Sequence, residues 1–178
     1  MSIPEISQAK PSLKLLRKLI TPSNRYIVVK VGDRLVTFPD VLVSEIMIIE
    51  RNTILALPFY GAAIVGVIHH QANIMPLLLL RLLMGEQRAL ITESLTVVRL
   101  SKVANDVGEN LIGVGVIVDR VIGSLTTNEY KGIDLEVSSK KMNQTVANIQ
   151  ENEYTPIEII LSSIPTHIWQ PQRWQLSS

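Results

Sequence analysis

Short apolar runs separated by turn-forming residues dominate the chain from Tyr26 to Leu125. Tyr26–Val31 and Arg34–Phe38 are two such runs around Gly32-Asp33, and a two-residue turn that begins with glycine suits the twist of paired strands. The runs follow one another too closely to leave room for the crossover helices of a parallel sheet. The pattern therefore predicts an all-β sandwich or barrel.

The later runs predict further strands and only a few helical turns. Strands are expected over Val41–Glu50, Val65–His70, Ile74–Leu78, Leu95–Val103, Leu111–Val118, Arg120–Leu125 and Ile157–Leu161. Helical turns are expected over Phe59–Ile64 and over Leu79–Met84, where Gly85 provides a usual C-terminal stop. Pro76 cannot donate a hydrogen bond to a neighbouring strand, so its strand is expected at a sheet edge or a bulge.

The same pattern divides the chain into an N-terminal extension, one domain and a C-terminal tail, expected at residues 1–24, 25–164 and 165–178. Within the extension, Lys10–Ile20 is basic, and its apolar residues share one face of a helix. Such a segment either binds a membrane surface or a partner as a helix, or packs on the body of the domain, or is a frayed tail. The tail carries Trp169 and Trp174.

Composition excludes several classes of function. The net charge of +1 provides no field that would attract nucleic acid or an anionic membrane. The absence of cysteine excludes disulfide scaffolds and thiolate metal sites and fits a reducing cytoplasm. The apolar stretch Thr53–Ile68 is shorter than the roughly 18 residues of a membrane span. A mean hydropathy of +0.27 indicates a large core together with apolar surface that partners cover.

No residue set in the sequence nominates a reaction, a cofactor or a metal. His69 and His70 are neighbours in a predicted strand and should point to opposite faces, so they cannot easily chelate one ion. Gly113-Val114-Gly115 lacks the third glycine of a dinucleotide-binding fingerprint and is expected to serve close packing. Asp119 at a strand end is expected to stabilise a turn. The chain is therefore predicted not to be an enzyme.

An ordered set of motifs resembles the CheW-like domains of chemotaxis coupling proteins. The stretch Gly66–Arg81 reads G-V-I-H-H-Q-A-N-I-M-P-L-L-L-L-R and resembles the family's G-V-I-N-L-R-G-x-I-V-P-V-I-D-L-R. Glu45-Ile46, Leu57-Pro58 and Gly115–Val121 resemble further family motifs in the same order. The resemblance implies two five-stranded SH3-like barrels that share one core. It also implies a scaffold that couples a methyl-accepting chemoreceptor to a CheA-type histidine kinase.

The resemblance further implies a cytoplasmic location, with receptor arrays at the inner membrane face or pilus-driven motility as settings. By alignment, the receptor-facing residues are Glu45, His70, Gln71 and Asn73. Each of them is also compatible with an ordinary solvated turn or strand. Gln71 stands where the family has arginine, so an ion pair between position 71 and Glu45 cannot form. Leu79 likewise replaces a family aspartate.

Two other classes of protein compete with the scaffold hypothesis. A ligand-binding β-barrel would need a cavity, whereas the large aliphatic residues of these strands fill small barrels. An enzyme would need an open pocket lined by polar groups.

Overall fold

The computed structural model describes residues 24–86, 92–130 and 154–172 and shows a protein built mainly of strands. The strands are β1 (Arg25–Val31), β2 (Arg34–Pro39), β3 (Val43–Glu50), β4 (Ile64–His70), β5 (Asn73–Leu79), β6 (Ser94–Leu100), β7 (Gly115–Val118), β8 (Arg120–Thr126) and β9 (Tyr154–Pro156). Short helices α1 (Leu80–Leu83) and α2 (Ile157–Ser162) accompany 3-10 turns at Asp40–Leu42, Arg51–Thr53, Lys102–Asp106 and Thr166–Trp169, and residues 127–130 are also helical. The all-β prediction is confirmed. The predicted helix Lys10–Ile20 and Trp174 lie outside the described residues.

The first sheet has the strand order β8-β1-β2-β9. The predicted hairpin between β1 and β2 is confirmed, with Gly32 in the left-handed region at φ +60°. On the face of this sheet turned away from the second sheet, the ring of Tyr26 stacks on Tyr130 with 4.5 Å between centroids. Tyr154 of β9 approaches Tyr130 edge-on at 6.3 Å. Aromatic packing therefore covers this outer face.

The second sheet, in the order β3-β6-β7-β5-β4, curls until its two edge strands approach each other. Leu55 continues the chain beyond β3 and forms two hydrogen bonds of 2.9 Å with Val67 of β4. Buried side chains from all five strands fill the interior: Ile49, Ile68, Met75, Leu77, Val97 and Ile117. The sheet therefore forms a small barrel that is packed with aliphatic residues.

A shared apolar core joins the two sheets into one domain. Fully buried residues from both sheets meet in it, among them Val29, Val36, Phe38, Leu78, Val98 and Val116. Strand β6 is buried on both faces, because Val97 points into the barrel while Val98 points into the shared core. A strand covered on both sides shows no clean alternation of apolar and polar residues. The expectation of two lobes with one core is met.

The segment Ile157–Leu161, predicted as a strand, is instead part of helix α2. Ile157, Ile160 and Leu161 are its buried apolar residues, and their spacing of three and four residues is the helical one. The strand prediction was wrong because a mainly apolar run of five residues has too little periodicity to separate a buried strand from a helix.

Four other segments also differ from expectation, in their boundaries, their type or their place in the sheet. Strand β6 ends at Leu100 and a 3-10 turn follows, while β7 begins only at Gly115 because Asn110 and Gly113 adopt positive φ angles. The predicted helical turn at Phe59–Ile64 is a series of turns without a helix. The expectation of a sheet edge or a bulge at Pro76 was wrong, because β5 is an inner strand and pairs in register with β4 at Pro76. The missing donor is tolerated there because pairing with β7 begins only at Leu77.

Gly66 is the residue on which closure of the barrel depends. It has φ +155°, and a Cβ atom at this position would lie 2.3 Å from the carbonyl oxygen of Leu55. We expect Gly66→Ala to break the Leu55–Val67 bridge and to lower the free energy of unfolding by about 2 kcal/mol or more. Chemical denaturation monitored by circular dichroism measures this change.

Gly123→Ala in β8 is the matched control, since a Cβ there meets nothing within 4 Å. It should change stability by less than about 0.5 kcal/mol. Equal losses in the two variants would contradict the role assigned to Gly66.

Candidate interaction site

Four strand ends gather at one end of the barrel and place the predicted site residues there. The β3–β6 pairing sets Glu45 directly opposite Arg99. The β4–β5 hairpin ends at the pair formed by His70 and Asn73. Because β3 starts where β6 and β4 end, residues that are distant in sequence come together at this end.

Glu45, His70 and Arg99 form a polar cluster across the seam between β3 and β4. His70 Nε2 lies 2.9 Å from Glu45 Oε2, and Arg99 Nη1 lies 3.8 Å from the same oxygen. The side chains are between about a fifth and a third exposed, at 34% for Glu45, 23% for His70 and 21% for Arg99. Arg99 Nε is buried and has no hydrogen-bond partner among the described residues. One carboxylate oxygen thus faces two cationic or potentially cationic groups.

The hairpin tip beside this cluster is a strained and exposed turn. Gln71 and Ala72 both adopt left-handed conformations, with φ +48° and +61°. This geometry is that of the two-residue turn preferred in hairpins, which usually contains asparagine or glycine. The side-chain amide of Asn73 donates to the carbonyl oxygen of Gln71 at 3.0 Å. The turn is therefore well defined although its residues are exposed.

Large apolar side chains are exposed on the strands that flank the seam. Ile46 and Ile48 of β3 are 42% and 74% exposed, and Ile74 of β5 is 72% exposed. Ile74 lies opposite His69 on the outer face of the hairpin. Ile46 and Ile48 lie on the outer face of β3, the face opposite that of Glu45, because successive side chains of a strand alternate. Exposed aliphatic residues of this kind are typical of protein interaction surfaces.

The structure brings Glu45 and His70, two of the four predicted receptor-facing residues, into contact, and places Gln71 and Asn73 in or beside the adjoining turn. Gln71 makes no ion pair with Glu45, as expected, but Glu45 has partners that the sequence analysis missed. Arg99 carried a usable signal, because it is a charge embedded in the apolar run L-T-V-V-R-L, just as Glu45 is embedded in V-S-E-I-M-I-I. Two opposite charges that each interrupt an apolar strand are expected to form an ion pair with each other in the folded protein.

Other chemistry is scarce in the part of the chain that the structure describes. No group of three or more His, Asp or Glu side chains is placed there to hold a metal ion, and His69 points outward while His70 contacts Glu45. A cleft of about 740 Å³ lies at the opposite end of the barrel, lined by Glu50, Arg51, Asn52, Thr92 and Glu93. Among the described helices, none is long and apolar enough to cross a membrane.

Comparison with models of protein families shows the family of this chain. The model of the CheW-like domain matches residues 25–152, which include strands β1 to β8 and the β4–β5 hairpin described above. The chain belongs to the CheW-like domain family. No curated protein sequence matches it. Among solved structures, the scaffolding protein TtCheW from Thermoanaerobacter tengcongensis is similar at 17% identity and a TM-score of 0.48, over 59% of this chain and 66% of that one.

Two residues of the CheW-like motifs form a second polar contact, between the two lobes. Arg81 follows β5, and Asp119 is the single residue between β7 of one sheet and β8 of the other. Arg81 donates from Nε and Nη2 to the two oxygens of Asp119 at 2.8 and 2.7 Å. Asp119 Oδ2 also accepts from the backbone N–H of Gly32 at 2.8 Å. Asp119 was expected to stabilise a turn at its own strand end, but its side chain instead binds the distant Gly32 turn and Arg81.

These contacts change the acidity of Asp119. Burial alone would raise the pKa of its carboxyl group, but the hydrogen bonds from Arg81 and Gly32, with the charges of Arg81 and Lys30, hold that pKa below its ordinary value. The hydrogen bonds to Asp119 in turn raise the pKa of Arg81. Because both side chains are less than a fifth exposed, solvent screens the pair only weakly.

We expect Asp119→Asn to lower the free energy of unfolding of this CheW-like domain by about 2 kcal/mol or more at pH 7, because Arg81 loses a partly buried charged partner. The lowered pKa makes this stabilisation fully present above the unfolded value of about 3.9 and lost as the pH falls through the folded value. The stability difference between wild type and variant should therefore be constant from pH 5 to 7 and should shrink below about pH 4. Denaturant titrations across this range measure it.

Asp106→Asn, on the exposed surface of a 3-10 turn, is the control. It should leave stability within about 0.5 kcal/mol at every pH. A difference for Asp119→Asn that does not change on acidification would contradict the assigned ion pair.

Proposed function

We propose that the chain is a non-catalytic scaffold that couples a methyl-accepting chemoreceptor to a CheA-type histidine kinase. The observation that carries this proposal is the CheW-like family match over residues 25–152. Coupling of this kind requires binding surfaces and no reaction. The aliphatic filling of the barrel supports such a role, because it leaves binding to the residues on the surface. The setting is chemotaxis or, by analogy, pilus-driven motility.

The receptor surface in this proposal is the barrel end that carries Glu45, His70, Gln71 and Asn73. Their proximity in the structure supports it, since residues from two strands and a turn form one exposed area. Burial of Ile46, Ile48 and Ile74 against a partner would supply most of the favourable free energy. The polar cluster would set the register of binding and discriminate between partners.

A ligand-binding barrel remains a weaker proposal. The barrel interior is filled by Ile49, Ile68, Leu77 and their neighbours, so it provides no room for a ligand. The cleft beside Glu50 and Glu93 is open and polar, unlike the mostly apolar and enclosed sites that bind small molecules.

We expect the purified protein to bind the kinase or the receptor tip encoded in the same genome with a dissociation constant of tens of micromolar or tighter, about −6 kcal/mol. Isothermal titration measures this affinity. Ile48→Asp should weaken binding to one of the two partners, because it places a charge in the apolar surface. The absence of binding to every such kinase and receptor would contradict the scaffold proposal.

Gln71→Arg tests the receptor surface separately. The side chain is exposed, and both residues accept the left-handed backbone at similar cost, so the melting temperature should stay within a few degrees. Affinity for the receptor tip should change measurably, because a new charge beside Glu45 alters the recognition surface. Unchanged affinity for every receptor tip would exclude the turn from the interface, and a large fall in melting temperature would show that the exposed placement of Gln71 is wrong.

A further inference from the structure

A single carboxylate at the barrel end contacts a histidine and an arginine at unequal distances. Glu45 Oε2 receives His70 Nε2 at 2.9 Å, while Arg99 Nη1 stays at 3.8 Å. Both recorded contacts of Glu45 fall on Oε2, and among the described residues none reaches Oε1. The side chain is 34% exposed, so a partner group can approach Oε1 from solvent.

We propose that His70 makes partner binding at this surface depend on pH, by controlling how strongly Glu45 attracts a basic side chain of the partner. The proposal rests on the proposed scaffold function and assigns a regulatory role to one residue of its receptor surface. Histidine is the side chain that ordinarily changes charge between pH 5 and 8. With His70 neutral, the charges of Glu45 and Arg99 cancel, and Oε1 accepts an incoming arginine or lysine. With His70 protonated, the cluster carries a net charge of +1 and repels that group.

Among the described residues around His70, few other charged groups could offset a change in its charge. Strand β5, which pairs with β4, contains no charged residue. Strand β3 contributes Glu45 here and Glu50 only at its far end, and β6 contributes Arg99. His69 points to the outside. The nearest segment beyond β6 carries Lys102, Asp106 and Glu109, all on the exposed surface, where salt screens them.

The chain has three histidines, His69, His70 and His167, which allows a matched comparison. The experiment is an isothermal titration of the co-encoded receptor tip into four forms of the full chain at pH values from 5.5 to 8. The forms are the wild type, His70→Gln, His70→Arg and the double variant His69→Gln/His167→Gln. Glutamine keeps a hydrogen-bond donor for Glu45 without a charge that titrates, and arginine holds the charged state at every pH. Thermal melts at each pH confirm that all four forms are folded.

We expect wild-type affinity to fall about three- to tenfold between pH 8 and pH 5.5, and the double variant to show the same fall. His70→Gln should flatten the profile, and His70→Arg should hold affinity near the low-pH wild-type value throughout. Receptor binding with the same pH profile in wild type and His70→Gln would overturn this inference and leave the scaffold function standing. A fall that disappears in the double variant would overturn it as well. The absence of binding to any receptor tip by any form would overturn the scaffold function, and this inference with it.

Discussion

The contact between Arg81 and Asp119 is the constraint on which the two-lobed structure depends. The chain passes from one sheet to the other at Asp119, with no further residue between β7 and β8. A crossing this short fixes the relative position of the sheets only if the residue in it is held. Two hydrogen bonds from Arg81 and one from Gly32 hold Asp119 from the barrel side and from the β1–β2 turn. The shared core packs between the two sheets beside this contact.

The elements that the sequence predicted well are those whose signals are local. The Gly32-Asp33 turn and the helical stop at Gly85 each follow from the conformations that a few neighbouring residues allow. The failures fall where the signal is not local. Ile157–Leu161 is an apolar run that becomes a helix because of what it packs against. The late start of β7 depends on the left-handed conformations of Asn110 and Gly113. The conformation of Asn110 was not predicted from its neighbours.

Only part of the candidate site could be predicted, because its contacts also depend on residues that are distant in sequence. Alignment with a family places Glu45 and His70 in a common region but cannot say which charges meet, because this depends on strand register. A shift of the β3–β6 pair by one residue would turn Arg99 away from Glu45. The arginine expected at position 71 is absent, yet the carboxylate is still paired, from within the barrel and across its seam. Loss of one ion pair at a surface therefore does not imply an unpaired partner.

The two polar contacts also differ in how freely sequence can change them. Asp119 lies between the sheets, so a change there alters the packing of both lobes. The cluster of Glu45, His70 and Arg99 lies at the end of a barrel that is filled by its own aliphatic residues and closed at Gly66. Its members are partly exposed, and ion pairs of this kind contribute little to stability. Charge at the barrel end can consequently be altered with little effect on the fold, which is the physical condition for a scaffold whose partners differ while its architecture is retained.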